Sequence, residues 1–161
     1  MLKRLISAVI IVCLAGLFSS VSAGQFDNII SAADVEKATG LTGVKKVPRD
    51  KAAPGYTENK LLTGDINFVR SDGQPILMIQ FRPAFVYDQF KADTEYNKGA
   101  VPGIGSDAFS SPVYPPQYTI NFVKGNYYAA VTTHLDPKNE SKTLIPFDQL
   151  TAISKLVASR M

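Results

Sequence analysis

The chain has 161 residues, 45% of them apolar and 19% charged, with one histidine, one cysteine and no tryptophan. That length suits one domain able to bury its own core, and a single cysteine excludes an internal disulfide framework. A formal net charge of only +3 argues against a nucleic-acid binder, which must neutralise many phosphates.

Lys3 and Arg4 precede an apolar run from Leu5 to Phe18, and Ser19 to Ala23 close it. Charge, apolar stretch and small residues are the three parts of a secretory signal. Val21 and Ala23 hold the minus-three and minus-one positions of an A-x-A-like site, so cleavage is expected before Gly24. The reading is a signal peptide over 1–23 and a single α+β domain over 24–161, exported to the periplasm or outside the cell. The run is shorter than the roughly 18–20 apolar residues of a membrane span, so no transmembrane segment is expected after cleavage. Cys13 lies behind Ile11 and Val12 rather than a small residue, which disfavours lipid attachment, and it leaves with the signal. Lys3 and Arg4 leave too, taking two of the three excess positive charges.

Ser31 with Asp34 three residues on has the form of a capping box, and Gly40 stops a short helix carrying Ala32, Val35 and Ala38. Ile66-Asn67-Phe68-Val69 then reads as a strand, followed by the turn Ser71 to Gln74 and a second strand from Ile76 to Phe81. After Pro83 a helix is expected from about Val86 to Lys98, with Gly99 as its stop. Ile120-Asn121-Phe122-Val123 repeats the first strand, Gly125-Asn126 makes a two-residue hairpin loop, and Tyr127 to Leu135 forms the return strand. A last helix follows Pro146, over Phe147 to Ser159. The chain therefore shows two similar strand-strand-helix halves, through pseudo-symmetry or through reuse of a common unit. Hairpins joined by helices imply a mainly antiparallel sheet with helices packed on one face. Lys45 to Lys60 and Ser110 to Gln117, rich in Pro, Gly and charge, are expected as loops or short edge strands.

No motif supplies an active site. Gly103-Ile104-Gly105-Ser106-Asp107-Ala108 matches G-x-G-x-x-A, but a helix exit and Pro102 precede it where a strand should, and the ribose-binding acid about 20 residues on is absent. It reads as a tight turn before a strand. His134 is the sole histidine, and strand alternation places it with Thr132, opposite Val131, Thr133 and Leu135. If the Val131 face is the core, His134 points outward beside Asp136 as a solvated pair. One imidazole without cysteines gives no zinc set and there is no G-x-S-x-G elbow. Asp72-Gly73 and Asp136 to Glu140 lack the calcium-loop ladder. No cofactor and no metal are expected.

Two surfaces stand out. Lys45, Lys46, Arg49 and Lys51 form a basic patch, suited to anionic headgroups, to an acidic partner or simply to solvent. Tyr114, Tyr118 and Tyr128 cluster around Pro112, Pro115 and Pro116, and with His134 make a candidate binding surface, since tyrosine gives contact area at low entropy cost.

Ala33-Asp34-Val35 with Gly40, the segment Val101-Pro102-Gly103-Ile104-Gly105-Ser106-Asp107-Ala108-Phe109, and the hairpin Phe122-Val123-Lys124-Gly125 before a C-terminal helix resemble the small secreted bacterial DUF3558-like proteins. Ser106-Asp107 replaces the Asp-Glu that members often carry, and their lipid-attachment cysteine is missing. The resemblance implies an α+β sandwich of the Mog1/PsbP-like sort used as a binding or accessory module, and it supplies no catalytic residues. The expected function is thus a non-enzymatic exported module for an unknown protein or small-molecule partner. The alternatives are a small hydrolase or lyase using His134 with Asp136, and a structural subunit of a cell-envelope complex.

Overall fold

The computed structural model describes residues 25–48, 65–112 and 116–161. The expected signal peptide over 1–23, Tyr114, Arg49 and Lys51 lie outside the described residues.

The first helix, α1 (Ala32–Thr39), forms where its caps dictate. Ser31 Oγ accepts the Asp34 N–H at 3.2 Å while the Asp34 carboxylate accepts the Ser31 N–H at 2.8 Å, a reciprocal cap whose loss costs about 1 kcal/mol. Gly40, left-handed at φ 72°, donates to Glu36 O and ends the helix. β1 (Lys45–Pro48), β2 (Ile66–Val69) and β3 (Pro75–Pro83) follow. α2 (Phe85–Ala92) stops six residues short of the Lys98 that helical spacing suggested. The reason is Asp93: its Oδ1 accepts the N–H groups of Glu95 at 2.9 Å and Tyr96 at 3.2 Å, giving the backbone a turn in place of another helical bond. β4 (Gly99–Ala100), β5 (Asp107–Pro112), β6 (Tyr118–Lys124), β7 (Tyr127–Thr133) and α3 (Phe147–Arg160) complete the main body. Between β7 and α3, β8 (Leu135–Asp136) and β9 (Asn139–Thr143) make a small ribbon of their own.

The seven main strands form one antiparallel sheet in the order β1-β2-β3-β7-β6-β5-β4. This is the α+β, mainly antiparallel architecture expected from the sequence. β2-β3 and β6-β7 meet back to back at the centre, where β3 pairs with β7. Register places the repeated isoleucines in a single row, Ile66, Ile79, Val131 and Ile120. The strand pairs are therefore related about a point between Ile79 and Val131, and the helices that follow them are not.

The sequence placed all the helices on one face; α1 and α3 cover that face, but α2 lies against the other. In β7 the side chains alternate: Ala129 and Val131 join Leu150, Ile153 and Val157 of α3 in the main core, whereas Tyr128 and Ala130 join Tyr87 of α2 and Phe109 of β5. α2 crosses over because β3 runs almost directly into it, with the Ala84 N–H bonded to Asn126 O at the β6-β7 turn. The chain leaving β7 first makes the β8-β9 ribbon and re-enters on the first face through Ile145, fully buried there. Arg160 at the end of α3 clasps α1, bonding both carboxylate oxygens of Asp34 at 2.8 and 3.0 Å and Ile29 O at 3.0 Å. The Arg160 guanidinium, helped by the Ser31 N–H and hydroxyl, holds the Asp34 carboxyl far below its ordinary range.

Gly103 to Ala108 is a turn into β5, as its sequence context indicated. Gly105 adopts φ 58°, and a Cβ there would sit 2.3 Å from the Val123 carbonyl oxygen, which accepts the Ser106 N–H at 2.8 Å. Gly105 serves this close approach to β6.

Candidate functional site

The sheet face opposite α1 and α3 is only partly roofed. α2 covers the end built on Tyr128, Phe109 and Ala130, and beyond it lies a cleft of about 720 Å³, within the range of small-ligand sites. Its floor is a grid of side chains set by register: Arg82 opposite Tyr128, Gln80 opposite Ala130, Met78 and Thr119 on either side of Thr132, and His134 beyond. Val86 and Phe90 of α2, with Tyr96 from the turn after it, form one end wall, and Leu135, Pro137 and Glu140 of the β8-β9 ribbon form the other.

The aromatic end is tightly packed. The Tyr87 ring lies between Phe109 and Tyr128, at centroid distances of 5.3 and 5.8 Å, and Phe90 packs on Tyr96 at 5.1 Å. Lys91 pairs with Asp107 and pins α2 to β5. Burial next to the Asp107 carboxylate pushes the Tyr87 phenol well above its usual range. Beneath these rings runs a chain of buried polar groups, Tyr128 Oη donating to Asn121 Oδ1 and Asn121 Nδ2 to Ser111 Oγ, each at 2.6 Å. The Thr119 and Thr132 hydroxyls bond each other at 2.9 Å, and Gln117 Nε2 donates to Thr133 O at 2.8 Å.

His134 differs from the expectation of a solvated outward residue. It does lie on the face opposite Val131, but it is only 5% exposed, because the second face is itself enclosed between the sheet and the β8-β9 ribbon. Its Nε2 is buried without a hydrogen-bond partner, and burial pushes the imidazole down to about 4, so it is neutral at physiological pH. No bond joins it to Asp136, whose Oδ1 instead accepts the Lys138 N–H at 2.9 Å.

The tyrosine surface does not assemble as the sequence suggested. Tyr128 and His134 share the cleft, but Tyr118 stands on the opposite side of β6 with Ile120 and Phe122, 37% exposed, its ring edge-on to Phe147 of α3 at 5.4 Å. A parity difference in a pleated strand is sufficient to separate them. The basic patch also divides. Lys45 is exposed, while the Lys46 ammonium turns to the carbonyls of Asp27 and Ile30, capping the approach to α1, and its partial burial lowers its proton affinity.

Met78, Gln80, Thr119, Thr132, Phe90 and Tyr96 were not singled out from sequence, although Thr119, Thr132 and His134 all have the parity that opposes the core. Among the described residues no group of three or more His, Cys, Asp or Glu side chains could hold a metal ion, and no helix is long and apolar enough to cross a membrane. The lining carries two formal charges, Arg82 and Glu140, and Arg82 is already engaged with Phe81 O at 2.7 Å and Asp65 at 3.4 Å. Comparison with protein-family models, with curated proteins and with solved structures finds no match for this chain.

Proposed function

We propose that this chain is an exported, non-enzymatic binding module whose ligand is a small molecule held in the cleft between α2 and the β8-β9 ribbon. One observation carries the reading: a neutral, 95%-buried histidine with an unpartnered Nε2 lines a cleft that combines aromatic and apolar side chains such as Phe90 and Tyr96 with hydroxyl and carboxamide groups such as Thr132 and Gln80. A buried polar atom left unbonded costs about 1–3 kcal/mol, and a bound ligand that bonds it recovers that cost. Export is supported by the Lys3-Arg4, Leu5-to-Phe18 and Val21-Ser22-Ala23 pattern, and the resemblance to DUF3558-like proteins points to the same use.

A thermal-shift screen of a small-molecule library against wild type and Met78→Trp tests the binding reading, because any ligand preferring the folded state raises the melting temperature. Met78 lies on the cleft floor, so hits should stabilise wild type and lose at least tenfold in affinity when an indole fills that space. Hits that bind both proteins equally would place the ligand elsewhere. Mass spectrometry of the protein recovered from its own cell envelope tests export. A mature chain starting at Gly24 is expected, and an intact leader on the recovered protein would contradict it.

A further inference from the structure

The chemistry of the cleft floor narrows the ligand, if the binding reading above holds. Three strands, β6, β7 and β3, contribute to that floor, which is about 10 Å wide at two strand spacings and about 20 Å long from Tyr128 to His134. Along it stand hydroxyl, carboxamide and imidazole groups: Thr119, Thr132, Gln80, Gln117 and His134.

An acyl chain fits this floor poorly, because methylenes laid over Thr132 and His134, already buried at 4% and 5% exposure, would leave His134 Nε2 without a hydrogen bond. A phosphate or carboxylate ligand needs a cation, yet the charge of Arg82 is already paired with Asp65, its Nη1 bonding Asp65 at 3.4 Å and Phe81 O at 2.7 Å, and His134 is uncharged. An organic cation needs carboxylates, of which the lining offers Glu140. A hydroxyl group both donates and accepts, so it satisfies His134 Nε2 in either imidazole tautomer and also the lone pairs left on the Thr119–Thr132 pair. At the α2 end the Phe90 ring is 39% exposed beside Tyr96, a platform whose negative π face suits the polarised C–H face of a sugar ring.

We propose that the cleft takes a neutral saccharide of one or two rings, its hydroxyls on Thr132, Gln117 and His134 and its C–H face on Phe90 and Tyr96.

Saturation-transfer NMR on the purified protein tests this, with glucose, galactose, N-acetylglucosamine and their β-linked disaccharides as probes. Dodecanoate and N-acetyl-tetraalanine amide serve as contrasting probes. At least one neutral saccharide should bind, and Phe90→Ala and Thr132→Val should each weaken it tenfold or more. Phe90 is half-exposed, so its replacement keeps the test valid if Thr132→Val folds poorly. Binding of dodecanoate or the peptide alone, weakened by Phe90→Ala, would overturn the saccharide assignment and leave the cleft as the binding site. Saccharide binding indifferent to Phe90→Ala would overturn the proposed seating, and no binding by any probe would overturn the saccharide assignment.

Discussion

Ile79 of β3 and Val131 of β7 stand directly opposite each other at the centre of the sheet, and Ile66 and Ile120 extend their row to either side. All four are buried against the α1-α3 layer. The row joins the two strand pairs, and with them the cleft floor on the reverse side, since Met78, Gln80, Ala130 and Thr132 alternate with these core residues along the same strands. Rigidity of the floor therefore depends on packing beneath it.

Truncating this row should weaken the whole fold. Ile79→Ala is expected to cost about 2–5 kcal/mol and Val131→Ala somewhat less, with Ile120→Val nearer 1 kcal/mol. Urea denaturation followed by tyrosine fluorescence measures each loss. An Ile79→Ala protein within 0.5 kcal/mol of wild type, on the order of a surface change, would refute the central position of the row.

Gly105 and Gly125 both adopt positive φ, 58° and 56°, but only the first meets a neighbour. Gly105→Ala brings its methyl into the Val123 carbonyl and should destabilise by about 3 kcal/mol, strain and clash together. Gly125→Ala finds nothing within 4 Å and should cost about 1 kcal/mol from the left-handed backbone alone. Equal losses in the two variants would show that the close approach at Val123 tolerates a side chain.

Stability should fall with acid in two stages. The unfolded chain protonates His134 near 6.5, the folded chain only at about 4, so between these values the unfolded state binds more protons and stability declines as pH drops. The contribution is complete above about pH 6.5 and lost by about pH 4, up to about 3 kcal/mol. His134→Gln should flatten this interval. The Asp34 carboxyl, lowered by Arg160, adds a second loss as pH falls through and below the ordinary carboxylate range, which Arg160→Met should reduce. A wild-type stability curve flat between pH 6.5 and 4 would contradict the buried, neutral His134.

Local signals made much of the fold legible. The Ser31-Asp34 box, the Gly125-Asn126 turn and the period-2 runs of β3 and β6 each act within a few residues and appear where sequence placed them, whereas the return strand expected over Tyr127 to Leu135 ends at Thr133 and Leu135 passes into β8 beside the cleft. The end of α2 was misread because the Asp93 side chain competes with the helix for two backbone N–H groups, a contest that apolar spacing does not register. The cleft was missed for a different reason. Alternation correctly assigned His134 to the face opposite Val131, but whether a second face meets water depends on α2, which reaches it from a distant part of the chain, and on how the β8-β9 ribbon that follows His134 folds back beside it. Adjacency in sequence also misled for Tyr118 and Tyr128, whose strand parities send them to opposite faces.

The most direct test of the cleft as the binding site is chemical-shift mapping of fragment hits on isotope-labelled protein. Amide and side-chain signals of Met78, Ala130, Thr132 and His134 are expected to move together on titration, with the Tyr118–Phe147 side of the sheet silent. Perturbations centred on Tyr118 and Phe147, or an absence of any hit that moves the Thr132 and His134 signals, would contradict the assignment.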